Sequence, residues 1–203
     1  SGPVGCKKIL EEYLPVPVIE RSGESYTLNY NREKSVGRVK MFYGNFLVVL
    51  KAYTYMLSLG GNGLREVSES AVLNANYMLN GLRKYSDVEY SSPCMHEFVI
   101  GLESFKERTG VSAIDVAKSM IDKGFHPPTM YFPLIVHEAL MFEPTETESK
   151  ETLDNALMEI CEILERAYTD AESLHAAPVT TPVGRPDEVV AARQPRLRYM
   201  FPE

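Results

Sequence analysis

Residues 130–145, MYFPLIVHEALMFEPT, contain two short apolar segments separated by Pro133. Proline cannot donate a hydrogen bond to a β-ladder, so we predict two short strands here, the second from about Ala139 to Glu143. Upstream, residues 94–100, CMHEFVI, alternate in polarity. This pattern predicts another strand, with one face formed by Cys94, His96, Phe98 and Ile100.

Helical patterns flank these strands. Residues 46–59 are apolar on most faces and precede Gly60 and Gly61, which predicts a buried helix ending there. Amphipathic helices are predicted over 63–85 and 112–123, and Ser149 is a plausible N-cap for a long helix up to about residue 167. Together these elements predict an α/β (α+β) fold: a two-layer sandwich of helices on a small, mostly antiparallel sheet.

Composition excludes several classes of protein. The chain has 203 residues, a net charge of −7 and 44% hydrophobic residues, which is typical of a globular domain and argues against nucleic acid as the main partner. No apolar run approaches the ~20 residues of a membrane span. Three widely spaced cysteines favour reduced thiols, and the N-terminal residues show no hydrophobic signal region, so a cytoplasmic location is expected.

Two His-Glu pairs, at residues 96–97 and 137–138, suggest three kinds of site: a metal site, a nucleophile with its base, or a strand with polar residues. A zincin helix needs a second histidine four residues after the first, and Ile100 and Met141 stand there instead, so we predict no metal site. Cys94 lies two residues from His96, a possible base, although a packed cysteine is the default interpretation.

Other candidate residues lie in loops. His126 stands in GFHPPTMYFP, whose glycine and prolines predict a rigid loop that either presents a side chain to a ligand or serves turn capping. Residues 42–46, FYGNF, place Gly44 and Asn45 before an apolar helix, where free N–H groups favour a phosphate, although a glycine before a helix is common. The carboxylates of EPTETESKET are best explained by capping and solvation.

Three long blocks carry a family resemblance. They are residues 124–154, GFHPPTMYFPLIVHEALMFEPTETESKETLD; residues 63–82, GLREVSESAVLNANYMLNGL; and residues 93–98, PCMHEF. These blocks closely resemble the glycine decarboxylase P-protein of the glycine cleavage system. The segment 180–199, TTPVGRPDEVVAARQPRLRY, is similar to the second subunit of its two-subunit prokaryotic form.

The resemblance implies a fold-type I pyridoxal-phosphate enzyme, of which this chain is the C-terminal part with the small domain. Such an enzyme decarboxylates glycine and transfers the aminomethyl group to the lipoyl arm of H-protein, so H-protein and the first subunit are the implied partners. The Schiff-base lysine is expected upstream of Ser1, leaving no catalytic residue in this chain; alone, it is expected to bind no cofactor and to be inactive. By similarity, Tyr43, Gly44 and Asn45 approach the cofactor phosphate, and His96 and His126 face the substrate cleft.

The expected organisation has three parts. Residues 1–60 are a remnant of the large cofactor-binding domain, 61–175 form the small domain, and 176–203 form an extended tail that needs a partner surface to be ordered. Without the rest of the large domain, the apolar helix at 46–59 is expected to be exposed, and an exposed apolar surface predicts a homo-oligomer. The alternative to an enzyme fragment is a free-standing α/β interaction or ligand-binding module.

Overall fold

The computed structural model describes residues 4–39, 41, 44–199 and 201. The chain divides into two compact units, Ser1–Leu64 and Arg65–Glu203. Within the described residues, no helix combines the length and apolarity needed to cross a bilayer.

The first unit contains a 3₁₀ helix, Lys8–Tyr13, and an antiparallel hairpin of β1 (Val18–Ser22) and β2 (Ser25–Asn29). Residues 26–30, YTLNY, alternate in polarity as a strand does, and β2 includes all of them except Tyr30. Side chains tie the segment after β2 back to the 3₁₀ helix, because Lys34 pairs with Glu12 at 2.9 Å and the Ser35 hydroxyl donates to the Leu14 carbonyl at 2.7 Å.

Helix α1 spans Phe46–Leu82 and is interrupted at Gly60. Gly60 has φ 65° and ψ −176°, values that are not helical and that favour glycine, so the predicted stop is a break inside a longer element. The prediction of a buried helix before Gly60 is wrong for this chain: the apolar side chains of its first turns are exposed, with Phe46 and Leu47 at 73% and 71%. No described element covers them.

The second unit is built on a three-stranded antiparallel sheet. Its strands β3 (Phe98–Gly101), β4 (Thr129–Met130) and β5 (Ala139–Phe142) are arranged in the order β3-β5-β4. The two strands predicted around Pro133 are therefore confirmed. Phe98 lies opposite Phe142 in the register, and their rings stack with centroids 5.3 Å apart.

Strand β3 begins at Phe98, four residues later than the sequence predicted. In continued register, His96 would face Pro144, which has no N–H to donate, so the ladder cannot extend that far. The backbone of Cys94 forms its hydrogen bonds with the side-chain amide of Asn76 instead. Asn76 donates to the Cys94 carbonyl at 2.8 Å and accepts from the Cys94 N–H at 3.0 Å.

Helices cover the sheet and close the core. They are α2 (Glu103–Thr109), α3 (Ala113–Asp122), α4 (Lys150–Arg166) and α5 (Ala171–Ala176), together with the second half of α1, which continues as a 3₁₀ turn, Arg83–Tyr85. A further short helix, α6 (Glu188–Arg193), is exposed and buries no residue. Ser149 caps α4 as predicted, accepting from the Thr152 N–H. This arrangement confirms the predicted helix-on-sheet class.

The core side chains come from α1, β3, α3, β5 and α4. Those that are fully buried include Leu79, Ile100, Val116, Leu140 and Ile163, and burying each contributes about 2 kcal/mol. Helices α1 and α4 approach closely at Gly81, where an added Cβ would lie only 2.7 Å from a methyl group of Leu157.

Residues 177–185 form a segment, here called the tail strap, that crosses α3. The Asp122 carboxylate near the end of α3 accepts from the Val179 and Thr180 N–H groups at 2.8 to 2.9 Å. Arg185 donates to Asp115 in the first turn of α3 at 2.7 Å and to the carbonyls of Ala177 and Leu174. The surface that orders this part of the tail is therefore α3 of the same chain.

Asp115 is an almost buried carboxylate, with 6% of its side chain exposed. Burial alone would raise its pKa, but hydrogen bonds from Ser112 and Arg185 outweigh burial and hold the pKa below its usual value. Because the folded-state pKa is depressed, the stability that this carboxylate contributes is present above the unfolded pKa of about 3.9 and is lost as pH falls through the lower folded value.

We predict that Arg185→Ala lowers the free energy of unfolding at pH 7 by about 2 kcal/mol, because it leaves Asp115 without its cationic partner. The matched control, Arg193→Ala on the exposed helix α6, changes it by less than about 0.5 kcal/mol. Urea denaturation followed by circular dichroism measures both. The difference in unfolding free energy between wild type and Arg185→Ala is expected to shrink below pH 4, because Asp115 is protonated there. Equal free energies of unfolding at pH 7 would show that the Arg185 contact of the tail strap does not stabilise the fold.

Candidate functional site

A cavity of about 430 Å³ opens in the second unit between α1, α3, α4 and the end of β5. Its floor consists of core side chains, namely Met78, Met120, Phe125, Leu153 and Ile160. Cavities of this size with a mostly apolar lining and a few polar groups are typical of small-molecule sites. We refer to it as the His126 cavity.

His126 lies at the rim of this cavity. Helix α3 ends at Asp122, Gly124 follows with φ 83°, and the Phe125 N–H bonds back to the Met120 carbonyl, so the chain turns sharply and carries the imidazole to the opening. The other polar residues that line the cavity are Thr129, Glu143, Glu148 and Thr152. Within the described part of the chain, the side chains of His126, Glu143 and Glu148 have no hydrogen-bond or ion-pair partner.

His96 lies elsewhere. It stands in the irregular segment before β3, its side chain is 64% exposed, and its Nε2 is 3.8 Å from the Glu97 carboxylate. The residues that line the His126 cavity do not include it. The structure therefore does not bring the two predicted cleft histidines into one pocket, and their roles remain predictions.

Cys94 is half-buried and has no basic partner among the described side chains. Burial raises the pKa of its thiol, which disfavours the thiolate that a nucleophile needs. The structure therefore favours the packed-cysteine interpretation over the nucleophilic one. Among the described residues, no group of three histidine, cysteine or acidic side chains is arranged to hold a metal ion.

The predicted phosphate-binding segment precedes α1. Tyr43 lies outside the described residues; Gly44 and Asn45 are exposed and lead directly into the helix. Asn45 acts as the N-cap, because its side-chain oxygen accepts from the Val48 N–H at 3.3 Å and its carbonyl from the Val49 N–H at 3.1 Å. One helix-end donor is therefore already used by the chain itself.

The second His-Glu pair has a structural function that the sequence did not indicate. The Glu138 carboxylate accepts from the Ala113 N–H at 2.8 Å, at the start of α3, and pairs with Lys106 of α2. Its hydrogen bond and negative charge raise the pKa of Lys106. Glu138 also holds a left-handed backbone, with φ 48°. Because its partners lie 25 and 32 residues away, no local pattern could have revealed this contact.

Comparison with known proteins identifies the family. The family model described as "Glycine dehydrogenase, C-terminal domain" matches residues 67–180. The chain belongs to this family. The match covers the sheet, α2 to α5 and the start of the tail strap, so the resemblance seen in the sequence is confirmed.

Curated relatives extend the match over nearly the whole chain. The chain is 62% identical over 199 residues to a probable glycine dehydrogenase (decarboxylating) subunit 2 of Treponema denticola, and 54% identical over 199 residues to one of Fervidobacterium nodosum. Each alignment covers 98% of this chain but only 41% and 42% of the relative. The chain thus spans about two fifths of the length of these relatives.

A solved structure supports the fold. The chain is similar to a crystal structure of glycine decarboxylase (P-protein) of the glycine cleavage system in inhibitor-bound form, with a TM-score of 0.61 at 21% identity. The similarity covers 77% of this chain and 37% of that one. It confirms the predicted fold, in which helices pack on a small, mostly antiparallel sheet.

The residues of the His126 cavity do not fit pyridoxal phosphate. The coenzyme needs a lysine amine for its aldehyde and hydrogen-bond donors or cations for its phosphate, but the cavity is lined by no lysine or arginine and carries two carboxylates at its rim. Family membership thus does not make this cavity a coenzyme pocket.

We predict that Glu138→Gln lowers the free energy of unfolding by about 1 to 2 kcal/mol at pH 7, because it removes the charge that Lys106 and the start of α3 share. Glu107→Gln, an exposed change on α2 whose carboxylate has no described partner, is the matched control and stays within about 0.5 kcal/mol. Thermal and urea denaturation compare them. Equal stability of the two variants would show that the contacts of Glu138 with Lys106 and the Ala113 N–H do not stabilise the fold.

Proposed function

We propose that this chain forms the C-terminal part of a glycine dehydrogenase (decarboxylating) subunit 2. The observation that carries the proposal is the 62% identity with the Treponema denticola protein across 98% of the chain. The whole enzyme decarboxylates glycine and transfers the aminomethyl group to the lipoyl arm of H-protein, as part of the glycine cleavage system. Its partners are the first subunit of the P-protein, lipoylated H-protein and glycine.

In this proposal the three parts of the chain contribute differently. Residues 1–60 belong to the large cofactor-binding domain, 61–175 form the small domain and 176–203 form the tail. Tyr43, Gly44 and Asn45 lie near the coenzyme phosphate; Gly44 and Asn45, whose exposed backbone precedes a helix, are compatible with that position. His96 and His126 form part of the wall of the substrate cleft. The odd number and wide spacing of the cysteines favour the cytoplasm.

Pyridoxal phosphate, when bound to the whole enzyme, supplies an electron sink for the decarboxylation. The chain's own contribution is to shape one wall of the reaction chamber, to exclude water and to orient the substrate with exposed imidazoles. In this proposal the Schiff-base lysine belongs to another part of the whole enzyme, so this chain supplies none of the covalent chemistry. The domain alone is therefore proposed to be inactive.

A first prediction follows for the isolated chain. Mixed with pyridoxal phosphate and then reduced with borohydride, the 203-residue chain is expected to give no site-specific lysine adduct above that of a denatured control. Peptide mass spectrometry measures the adducts. Stoichiometric labelling of a single lysine, together with glycine turnover, would contradict the proposal.

A second prediction concerns the complete enzyme. We expect that replacing the matching part of the Treponema denticola subunit with this chain, in the presence of the first subunit and H-protein, preserves glycine decarboxylation. In that chimera His126→Asn is expected to lower kcat/KM about tenfold, because an orienting group is lost. His137→Asn, an exposed change outside the proposed cleft, is the matched control. Loss of activity in the unmutated chimera would contradict the family function itself; unchanged kcat/KM for His126→Asn would contradict only the cleft assignment.

A third prediction concerns assembly. The proposed homo-oligomer follows from the exposed apolar side chains of α1, among them Phe46, Leu47 and Val49. Light scattering is expected to find dimers or larger species for the wild-type chain and a shift towards monomer for Leu47→Glu. Glu89→Lys, at an exposed polar position, serves as the control. A monomeric wild-type chain at micromolar concentration would exclude this self-association.

A further inference from the structure

We propose that the His126 cavity binds a small organic cation, an ammonium group carried on an apolar chain. The inference rests on the cavity of this chain alone and does not depend on the proposed enzyme function. Three properties of the cavity lead to it: the character of the floor, the charge of the rim and the volume.

The floor can accept an apolar chain of variable shape. Three methionines, Met78, Met120 and Met141, line it together with Phe125 and Ile160. Methionine side chains are unbranched and polarizable, so they adapt to ligands of different outline. The free energy of transferring an alkyl chain from water onto such a surface is favourable by about 0.8 kcal/mol for each buried methylene.

The rim of the cavity favours a ligand whose head group is positively charged. Glu143 and Glu148 line the opening beside His126, and none of the lining residues is a lysine or arginine. Lys123 and Lys150, cations of the adjoining helix ends, are engaged by Glu159 at 2.6 Å and by Asp154 at 2.6 Å, so they do not neutralise the rim. Unpaired carboxylates at the mouth of an apolar cavity attract a cation and repel a carboxylate or phosphate.

The volume sets the size of the ligand. A cavity of about 430 Å³ lies within the range that holds small organic molecules and is large enough for an alkyl chain of about six carbons with its head group. The ligand class is therefore a primary or substituted alkylamine. An extended polymer does not match a pocket that closes on the core side chains of α1 and α4.

The experiment compares three ligands that carry the same hexyl chain and differ only in the head group: n-hexylamine, heptanoate and 1-hexanol. The 203-residue chain is labelled at its methionine methyl groups, and each ligand is titrated at pH 7 while the methyl resonances are followed by NMR. We expect saturable shifts at Met78, Met120 and Met141, with hexylamine binding at least about fivefold more tightly than heptanoate. Met56 and Met95, which are exposed elsewhere, report non-specific binding.

A double variant tests the rim directly. Glu143→Gln with Glu148→Gln is expected to weaken hexylamine binding about fivefold and to leave 1-hexanol unchanged. Glu89→Gln with Glu107→Gln removes the same two charges from exposed positions outside the cavity and is expected to bind like wild type. Thermal denaturation confirms that both doubles are folded.

Three results would overturn the proposal. The first is equal affinity for hexylamine and heptanoate, and the second is equal weakening in both double variants, which would indicate a general effect of net charge. The third is a set of shifts centred on Met56 rather than on the cavity methionines, which would place the ligand on the exposed face of α1. An inactive chimera in the decarboxylation assay has no bearing on these outcomes.

Discussion

The second unit depends on the hydrogen-bond and charge partners that the chain provides for the polar groups at the start of helix α3. An acidic side chain, Asp115, is buried there, and such a group is tolerated only when charge and hydrogen bonds compensate the loss of water. Ser112 supplies a local hydrogen bond and Arg185 a distant positive charge, while Glu138 accepts from a free N–H of the same helix turn. One helix end therefore holds together a capping loop, the entrance to β5 and the tail, three segments that are remote in sequence.

The opposite end of α3 leads to a different chemical setting. Where the start of the helix is fully paired, the loop after its end presents His126 next to the unpaired Glu143 and Glu148 over an apolar floor. The polar groups at the start of α3 all have partners, whereas those at the rim of the His126 cavity have none within the described residues. The unpaired groups at the rim are therefore available to a ligand. This contrast is the reason for treating the His126 cavity, rather than either His-Glu pair, as the candidate site.

Most of the secondary structure could be predicted from the sequence because local rules control it. Ser149 and the periodicity after it specify α4, and Pro133 separates two strands whichever way the rest of the chain folds. The failures have non-local causes. The start of β3 depends on Pro144, just after the facing strand, and the salt bridge between Arg185 and Asp115 joins residues 70 apart. The apolar first turns of α1 are exposed because no described element packs on them, which their sequence does not indicate. Site residues were still harder to predict, because a loop histidine looks the same whether or not a cavity lies beneath it.

The close approach of α1 and α4 at Gly81 couples two positions that the chain encodes far apart. A methyl group at residue 81 would lie only 2.7 Å from a terminal methyl group of Leu157, so the Leu157 side chain would have to move to accommodate it. A larger residue 81 is therefore accommodated most easily when residue 157 is smaller, and alanine at both positions would exchange volume across the interface. The two positions are expected to vary together in this domain, because the cost of a larger residue 81 depends on how far the side chain at 157 can move.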